Sequence, residues 1–274
     1  MSSGSGRSGI WRVAPGPGVP PSEARSGTRP LKILALDTAT ENCSAALMID
    51  GTLTAREVEF DRGHGEHILP MIDILLIEAG LRLADVDVIA FGRGPGGFTG
   101  VRLAASIAQG LAFGADKPVV PVSDLAALAQ RAFDLAFGPE RVLVCSDARM
   151  QEVYWGCFEI AENGLGKVLG PEHVGPPQSV TLPPSWADAK PGSIAGIGRG
   201  FRAYPALKDL VGSRVAVARD DLLPRAAEIA RLAALDVTAG RLLKPEEAIP
   251  VYLRDDVARP QSTSGPGAVV TKLT

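Results

Sequence analysis

The chain has 274 residues, of which 46% are hydrophobic and 22% are charged, and its net charge at neutral pH is −3. These values are ordinary for a globular protein with one large domain or two small ones. The small negative charge excludes a global basic field for gripping RNA or DNA.

The three cysteines, Cys43, Cys145 and Cys157, show no C-x-x-C spacing. An odd count without metal-ligand spacing indicates reduced thiols in a cytoplasmic chain, with the thiols in the core. No apolar run is long enough to span a membrane, and the beginning of the chain lacks the hydrophobic region of a secretory signal. We therefore expect a cytoplasmic protein without membrane contact.

The two ends of the chain differ in composition from the middle. Residues 1–30 are rich in Ser, Gly, Pro and Arg and predict a disordered extension. Residues 258–274 predict a flexible tail. The ordered part should divide into a first lobe at 31–138 and a second lobe at 139–257.

The first lobe begins with an apolar strand, Leu31–Asp37, that ends in an acid. Two further strands follow with a turn at Asp50–Gly51 between them, which favours an antiparallel hairpin. A helical pattern then runs from His64 to Leu81, and a buried strand ends at Phe91. A second helix, the strand Val119–Val122 and a helix beginning at Ser123 complete a βββαβαβα unit.

The glycine-rich segment that follows the strand ending at Phe91 is the most informative part of the chain. Residues Gly92 to Arg102 read Gly-Arg-Gly-Pro-Gly-Gly-Phe-Thr-Gly-Val-Arg. Glycines at a strand-to-helix junction let the backbone turn sharply and let another group come close. Thr99 is the predicted N-cap, and free amides at a helix start attract anions. The segment therefore predicts a nucleotide site or a site derived from one.

A dinucleotide fingerprint is the nearest general motif, because Gly92, Gly94 and Gly97 satisfy G-x-G-x-x-G. The ribose-binding acid of such a site should end the next strand. Asp116 instead precedes Val119–Val122, and several strands come before the motif. The order of elements therefore disfavours a dinucleotide fold.

A second unit repeats the beginning of the first. Arg141–Ser146 is an apolar strand followed by Asp147, and two strands, Val153–Ile160 and Leu165–Leu169, come next. A further strand at 193–198, a helix at 224–239 and a final strand, Ile249–Arg254, close the ordered part. Two tandem βββαβαβα halves predict an α/β fold of two lobes, the duplicated ribonuclease-H-like fold of the actin and sugar-kinase superfamily.

The motifs around Asp37, Gly92–Arg102, Asp147–Trp155 and Val251–Arg254 resemble, in order, those of the bacterial TsaB (YeaZ) family of tRNA threonylcarbamoyladenosine biosynthesis proteins. The resemblance implies a subunit that is not itself catalytic. It implies pairing with a TsaD-like paralogue that carries the metal and the catalytic site, together with a TsaE-like ATPase. tRNA would be reached only through that complex.

A superfamily ATPase needs small, flexible turns at both of its phosphate loops. Asp37 and Thr38 fit the first loop, but Asp147 is followed by Ala148, Arg149 and Met150. Glycines that would let the backbone wrap a phosphate are missing there, and Arg149 and Met150 should fill the space. The two acids are then interpreted as turn-capping carboxylates. Candidates for a vestigial or interface nucleotide site are Asp37, Thr38, Gly94, Gly96, Gly97 and Thr99.

Other chemistry finds little support in the sequence. His64 and His67 have the spacing H-x-x-H without a third ligand, so no metal site is predicted, and no catalytic residue is assigned. The isolated chain should hold no cofactor, while ATP or ADP at the interface with the partner stays open. A free-standing ATP-dependent kinase or ATPase and a metallopeptidase are the alternatives.

The first helix carries apolar residues on nearly every side, which predicts cover on more than one side. The next helix offers small residues at helical spacing, which permit close helix packing. With the resemblance, this pattern predicts a partner interface, and the same surface leaves open a homodimer of the isolated chain. The interface candidates are Ile68, Met71, Ile72, Leu75, Leu76, Ala104 and Ala108.

Overall fold

Apolar strands from the two halves of the chain form two separate mixed sheets. The computed structural model describes residues 9–13, 29–60, 63–136 and 139–254. The described strands are β1 (Gly9–Val13), β2 (Lys32–Asp37), β3 (Asn42–Ile49), β4 (Thr52–Glu59), β5 (Val88–Gly92), β6 (Val119–Val122), β7 (Arg141–Asp147), β8 (Val153–Ile160), β9 (Gly166–Val168), β10 (His173–Gly175), β11 (Ile194–Ile197) and β12 (Val215–Arg219). The described α-helices are α1 (His64–Glu78), α2 (Phe98–Ala115), α3 (Asp124–Asp134), α4 (Gly200–Ala203), α5 (Leu207–Leu210) and α6 (Ala226–Thr238).

The first sheet has the strand order β1-β4-β3-β2-β5-β6. β2 pairs antiparallel with β3, and β3 pairs antiparallel with β4, through the predicted hairpin turn. Asp50 and Gly51 both adopt positive φ in that turn, at 47° and 83°, as a tight hairpin of this hand requires. β2, β5 and β6 run parallel, so their carboxyl ends meet at one edge of the sheet.

The second sheet repeats this arrangement with the order β10-β8-β7-β11-β12, and β9 pairs with β8. β7 runs antiparallel to β8 and parallel to β11, as β2 does to β3 and β5. The repeated topology gives the two-lobed, actin-like α/β architecture that the sequence predicted. None of the helices in the described ranges combines the length and the apolarity needed to cross a membrane.

Two helices cross over between the halves. α6 follows β12 in the chain, yet it packs on β2, β3, β5 and β6 of the first sheet. α3 follows β6, yet it packs on β7, β8 and β9 of the second sheet. The two helices also contact each other, so they form a middle layer that joins the sheets. The proposed lobe boundary at residue 138 therefore separates the strands but not the helices.

The structure differs from the sequence analysis at the amino-terminal end of the chain. The predicted disordered extension includes β1, whose backbone pairs with the edge of β4 from Leu53 to Glu57. That edge offers unpaired amides and carbonyls, which a preceding segment can satisfy. The rest of the extension up to residue 28 and the predicted tail, 258–274, lie outside the described residues.

The predicted final strand, Ile249–Arg254, is wrong. Pro250 has no amide hydrogen to donate, and the ladder reduces to one bond from the Val251 amide to the Arg93 carbonyl at 2.7 Å. The sequence pattern did not predict β10, β12, α4 and α5, which are short elements between loop residues. A short run of this kind carries too little periodicity to be assigned.

Close packing of α2 on the first sheet depends on its small residues. Ala104, Ala108 and Ala112 are fully buried against that sheet. At Gly100 a side chain is excluded, because a Cβ there would lie 2.1 Å from the Thr38 carbonyl oxygen. Gly110 lies on the exposed side of the same helix, where a Cβ would have no neighbour within 4 Å.

We therefore expect Gly100→Ala to lower the free energy of unfolding by about 3 kcal/mol, because α2 has to move away from β2. Gly110→Ala should raise it by about 0.5–1 kcal/mol, because alanine is the better helix former. Urea denaturation of the two variants measures both effects. Equal stabilities of the two variants would contradict the close contact between α2 and the Asp37 turn.

Candidate functional site

A cleft of about 820 Å³ opens between the two sheets. It lies where the carboxyl ends of β2 and β7 face each other, together with the glycine-rich loop before α2. The first half contributes residues 38–41, 63–66, 95–100 and 103, and the second half contributes residues 146–149 and 154. The cleft thus brings together residues of the Asp37 turn, the glycine-rich loop and the Asp147 turn, which are the three segments considered above as phosphate-binding candidates.

The two strand-ending acids make the same turn in each half of the chain. Asp37 Oδ1 accepts a hydrogen bond from the Ala39 amide at 2.8 Å. Asp147 Oδ1 accepts one from the Arg149 amide at the same distance. Each carboxylate therefore closes an Asx turn on its own backbone, as the turn-capping interpretation expects.

Asp37 belongs to a buried pair of carboxyl groups that the sequence analysis did not find. Asp124, the first residue of α3, is 2% exposed, and its Oδ2 accepts a hydrogen bond from the Gly94 amide at 2.5 Å. The remaining oxygens, Asp37 Oδ2 and Asp124 Oδ1, have no hydrogen-bond partner among the described residues. Only the position of Asp124 directly after Ser123, where a helix was predicted to begin at the edge where the parallel strands end, could have signalled it.

The electrostatics of this pair follow from its burial. Desolvation raises the pKa of Asp37 to about 6. Desolvation and the neighbouring Asp37 charge hold the pKa of Asp124 well above its ordinary value. Two carboxylates so close cannot both be ionised cheaply, so the pair loses its last proton at a higher pH than an ordinary aspartic acid does. Gly92 makes room for them, because a Cβ there would lie 2.4 Å from Asp124 Oδ1 and 2.7 Å from Asp37 Oδ1.

The glycine-rich loop is bonded to the Asp37 turn. The Gly97 amide donates to the Ala39 carbonyl at 2.7 Å, and Thr38 Oγ1 donates to the Gly100 carbonyl at 2.7 Å. A Cβ at Gly96 would lie 2.5 Å from the Ala39 carbonyl oxygen. These glycines therefore permit backbone-to-backbone contact within the chain. Thr38, Gly96, Gly97 and Thr99 line the cleft, whereas Asp37 and Gly94 lie buried beneath it.

The predicted N-cap is wrong. Gly97, not Thr99, is the N-cap residue of α2, and no side chain accepts a bond from the first turn. Thr99 lies within the first turn and is exposed. The contact of Gly97 and Gly100 with the Asp37 turn explains the difference, because it makes α2 begin two residues closer to the amino terminus than predicted. The first-turn amides consequently face the cleft without a cap.

The second loop is occupied by a side chain of the protein itself. Arg149 donates to Asp147 Oδ2 at 3.0 Å and to Glu41 Oε1 at 2.7 Å. Its guanidinium thus crosses the cleft at the place where a phosphate would approach the turn. Met150 was predicted to fill the same space, and this is wrong, because its side chain is 79% exposed. The turn at Arg149–Gln151 has positive φ at all three residues, which directs Met150 outward.

The histidines are used for packing and for backbone contacts. His64 Nε2 lies 2.7 Å from the Thr40 carbonyl oxygen, and both His64 and His67 contact the ring of Phe60. His173 stacks on Trp155 with ring centroids 5.0 Å apart. Across the described ranges, no three His, Cys, Asp or Glu side chains come together as metal ligands.

The predicted interface residues lie inside the protein. Six of the seven are buried, and Met71 is half-buried against the same core; the six are Ile68, Ile72, Leu75, Leu76, Ala104 and Ala108. They pack α1 and α2 on the first sheet, so they cannot supply a partner surface. α1 does carry apolar residues that its own sheet does not cover, but they are at other positions. Pro70 and the α-helical period turn Leu69, Ile74 and Ile77 to the exterior.

The fold and cleft together define a two-lobed protein of the actin-like superfamily in which Arg149 engages the acid of the second Asx turn. A family model described as "TsaD: tRNA N6-adenosine threonylcarbamoyltransferase" matches residues 58–258. The chain belongs to this family and, within it, to the branch of the tRNA threonylcarbamoyladenosine biosynthesis proteins TsaB.

Curated relatives and solved structures agree on this assignment. The TsaB protein of Escherichia coli is 41% identical over 83% of this chain and 96% of its own length. That of Haemophilus influenzae is 41% identical over 83% of this chain and 95% of its own length. The structure of YeaZ from Pseudomonas aeruginosa is 43% identical, covers 81% of this chain and 100% of its own, and superimposes with a TM-score of 0.73.

The Asp37–Asp124 pair predicts a pH dependence of stability. Because the folded pKa of Asp37 is raised above its ordinary value of 3.8, the folded state binds its proton more tightly than the unfolded state. The free energy of unfolding should therefore fall as the pH rises from about 4 to about 7, by up to about 3 kcal/mol at 1.36 kcal/mol per pKa unit.

Asp37→Asn should flatten this profile, because an amide keeps the bond to Ala39 without ionising. Asp73→Asn, a change of an exposed carboxylate on α1, serves as the control and should retain the parent slope. Urea denaturation between pH 4 and pH 8 measures the three profiles. A parent profile that is already flat over this range would contradict the raised pKa of Asp37.

Proposed function

We propose that the chain is a non-catalytic subunit in tRNA threonylcarbamoyladenosine biosynthesis, which binds a TsaD-like catalytic paralogue and acts with a TsaE-like ATPase. The observation that carries this proposal is the second loop of the cleft, where Arg149 bridges Asp147 and Glu41 in place of a phosphate-binding backbone. Family membership supports the pathway. The net charge of −3 supports contact with tRNA only through the complex.

The surface assigned to the paralogue is the exposed apolar side of α1 and α2. Ile77 is 69% exposed and Phe113 is 78% exposed, and Leu69 and Ile74 are also solvent-accessible. Gly110 and Gly114 carry no side chain and have open space around them, which allows another helix to approach α2 closely at these two positions. α1 and α2 pack on the same core of the first sheet, and large exposed apolar side chains on such helices are typical of a protein–protein contact. We propose that the isolated chain uses the same surface to form a homodimer.

Charge substitutions on this surface should separate binding from folding. We expect Ile77→Asp and Phe113→Asp to remain folded and to lose at least about tenfold in affinity for the paralogue, because an aspartate would be buried without a partner. Val168→Asp, at a 43% exposed position on the second sheet, is the matched control and should bind normally. Calorimetric titration with the purified paralogue, alongside circular dichroism, measures both properties.

Ile72→Asp provides the opposite control, because Ile72 is 3% exposed in the core between α1 and the first sheet. This variant should fail to fold rather than fail to bind. Unchanged affinity in both Ile77→Asp and Phe113→Asp would show that the paralogue binds elsewhere.

A free-standing ATPase is the second candidate, favoured by the uncapped first turn of α2 at the cleft. Against it, the turn after Asp147 presents an arginine rather than glycine amides. We propose that ATP or ADP is held only at the interface with the paralogue, where the partner supplies the missing contacts. A metallopeptidase predicts a bound metal, which elemental analysis of the purified chain detects.

The isolated chain should not hydrolyse ATP at the roughly one per second typical of slow enzymes. The expected cause is that Arg149 and Glu41 obstruct the second loop. Phosphate release by the purified chain measures the rate, and Asp37→Asn is the variant that tells a contaminant from the chain itself. Turnover near that rate that disappears in Asp37→Asn would establish the ATPase and overturn the non-catalytic role.

A further inference from the structure

A cluster of charged side chains connects the two halves of the chain across the mouth of the cleft. Glu41 follows β2, and its two carboxylate oxygens are held by two arginines of the other half. Arg149, after β7, lies 2.7 Å from Oε1, and Arg199, after β11, lies 3.4 Å from Oε2. Arg199 also bonds Glu59 of β4 at 2.6 Å. The Glu41 carboxylate therefore ties the segments that follow β7 and β11 of the second sheet to the first half of the chain.

The backbone that aims Arg149 is strained. Arg149, Met150 and Gln151 have φ values of 59°, 53° and 62°, a left-handed conformation that is disfavoured for residues with a Cβ. Three such residues in succession persist only where surrounding contacts over-determine them, and they cluster at functional and switching segments. Neither the cap on Asp147 nor the packing of the exposed Met150 demands them.

Arg254 supplies the contacts that hold this turn. Its Nη2 donates to the Ala148 carbonyl at 3.3 Å and pairs with Glu152, and its Nη1 lies 3.4 Å from Met150 Sδ. Glu152 in turn closes the turn with backbone bonds to Arg149 and Ala148, both at 3.0 Å. The turn is thus clamped from the segment that follows α6, at the far end of the described chain.

We propose that Arg149 is a latch between the two halves, which closes the cleft by gripping Glu41, and that Arg254 is the positioning residue that keeps the latch aimed. The latch is reversible, because the Arg149 side chain is 72% exposed and exposed ion pairs are individually weak. On release Arg149 retains Asp147 as its partner, so opening leaves no bare charge. α3 and α6 keep the halves joined while the cleft opens. This inference stands whether or not the cleft holds a nucleotide.

Pulsed electron–electron resonance on the full chain tests the latch directly. Nitroxide labels at His67→Cys and Ala203→Cys flank the cleft from opposite halves, and Cys43, Cys145 and Cys157 are buried and escape labelling. Glu41→Gln should raise the population of the longer distance by about threefold to tenfold. Glu66→Gln removes the same charge from the same cleft, where no described arginine or lysine pairs with it, and should leave the distribution unchanged.

Arg149→Gly distinguishes a latch from a structural brace. Glycine removes the guanidinium and also relieves the left-handed strain, so this variant should unfold at a temperature equal to or above that of the parent. The distance distribution should nevertheless shift toward the open state as in Glu41→Gln. A gain of stability together with an open cleft is the signature that a purely structural role would not produce.

Two further measurements complete the test. Raising the NaCl concentration from 0.05 to 1 M should open the parent protein more than Glu41→Gln, because the variant retains only the Arg199–Glu59 pair for salt to screen. Arg254→Ala should open the cleft although the side chains of Glu41 and Arg149 are both still present, because Arg149 is no longer held in position. Distance distributions for Glu41→Gln and Arg149→Gly that match the parent at low salt would overturn the proposal.

Discussion

The close approach of the glycine-rich loop to the Asp37 turn is the constraint on which the rest of the structure depends. Gly97 and Gly100 bond or touch the backbone of residues 38 and 39, and Gly92 leaves room for Asp37 and Asp124. These contacts set the packing distance between α2 and the first sheet. They also place the carboxyl end of β2 beneath the cleft and fix where α3 begins, because Asp124 bonds the Gly94 amide.

The exchange of α3 and α6 between the halves explains how a duplicated chain becomes one folding unit. Each helix covers the sheet of the other half, and the two meet in the middle layer. Ion pairs inside that layer, such as Arg231 with Asp134 at 2.5 Å, add to the apolar contacts. Neither half can bury its sheet alone, so stability of the two lobes should be cooperative. Opening and closing of the cleft is then the remaining relative motion of the two lobes.

The same duplicated frame carries different chemistry at its two turns. At the first turn, Asp37 is fully buried beneath the cleft, and desolvation raises its pKa to about 6. At the second, Asp147 retains contact with the cleft but is engaged by Arg149. Each acid of the ancestral pair therefore serves the protein's own structure, one through burial and one through an ion pair.

The sequence by itself determined the local structure of the chain and its duplication. Apolar runs ending in Asp37 and Asp147, the Asp50–Gly51 hairpin and the glycine loop before an alanine-rich helix are local patterns, and each reports the backbone that its residues favour. The family resemblance followed from the same segments. The prediction of a strand at 249–254 was wrong because a short apolar run does not reveal whether a partner strand is present.

Only the tertiary structure decided which side chains of these elements meet. Ile68 and Ile77 are both isoleucines of α1, yet one is fully buried and the other is 69% exposed, because the angle of the helix on the sheet selects between them. Asp124 meets Asp37 across 87 residues of chain, and Arg254 meets Glu152 across 102. Helical and strand periods repeat over a few residues, so they carry no information on contacts at such separations; the packing of whole elements sets them.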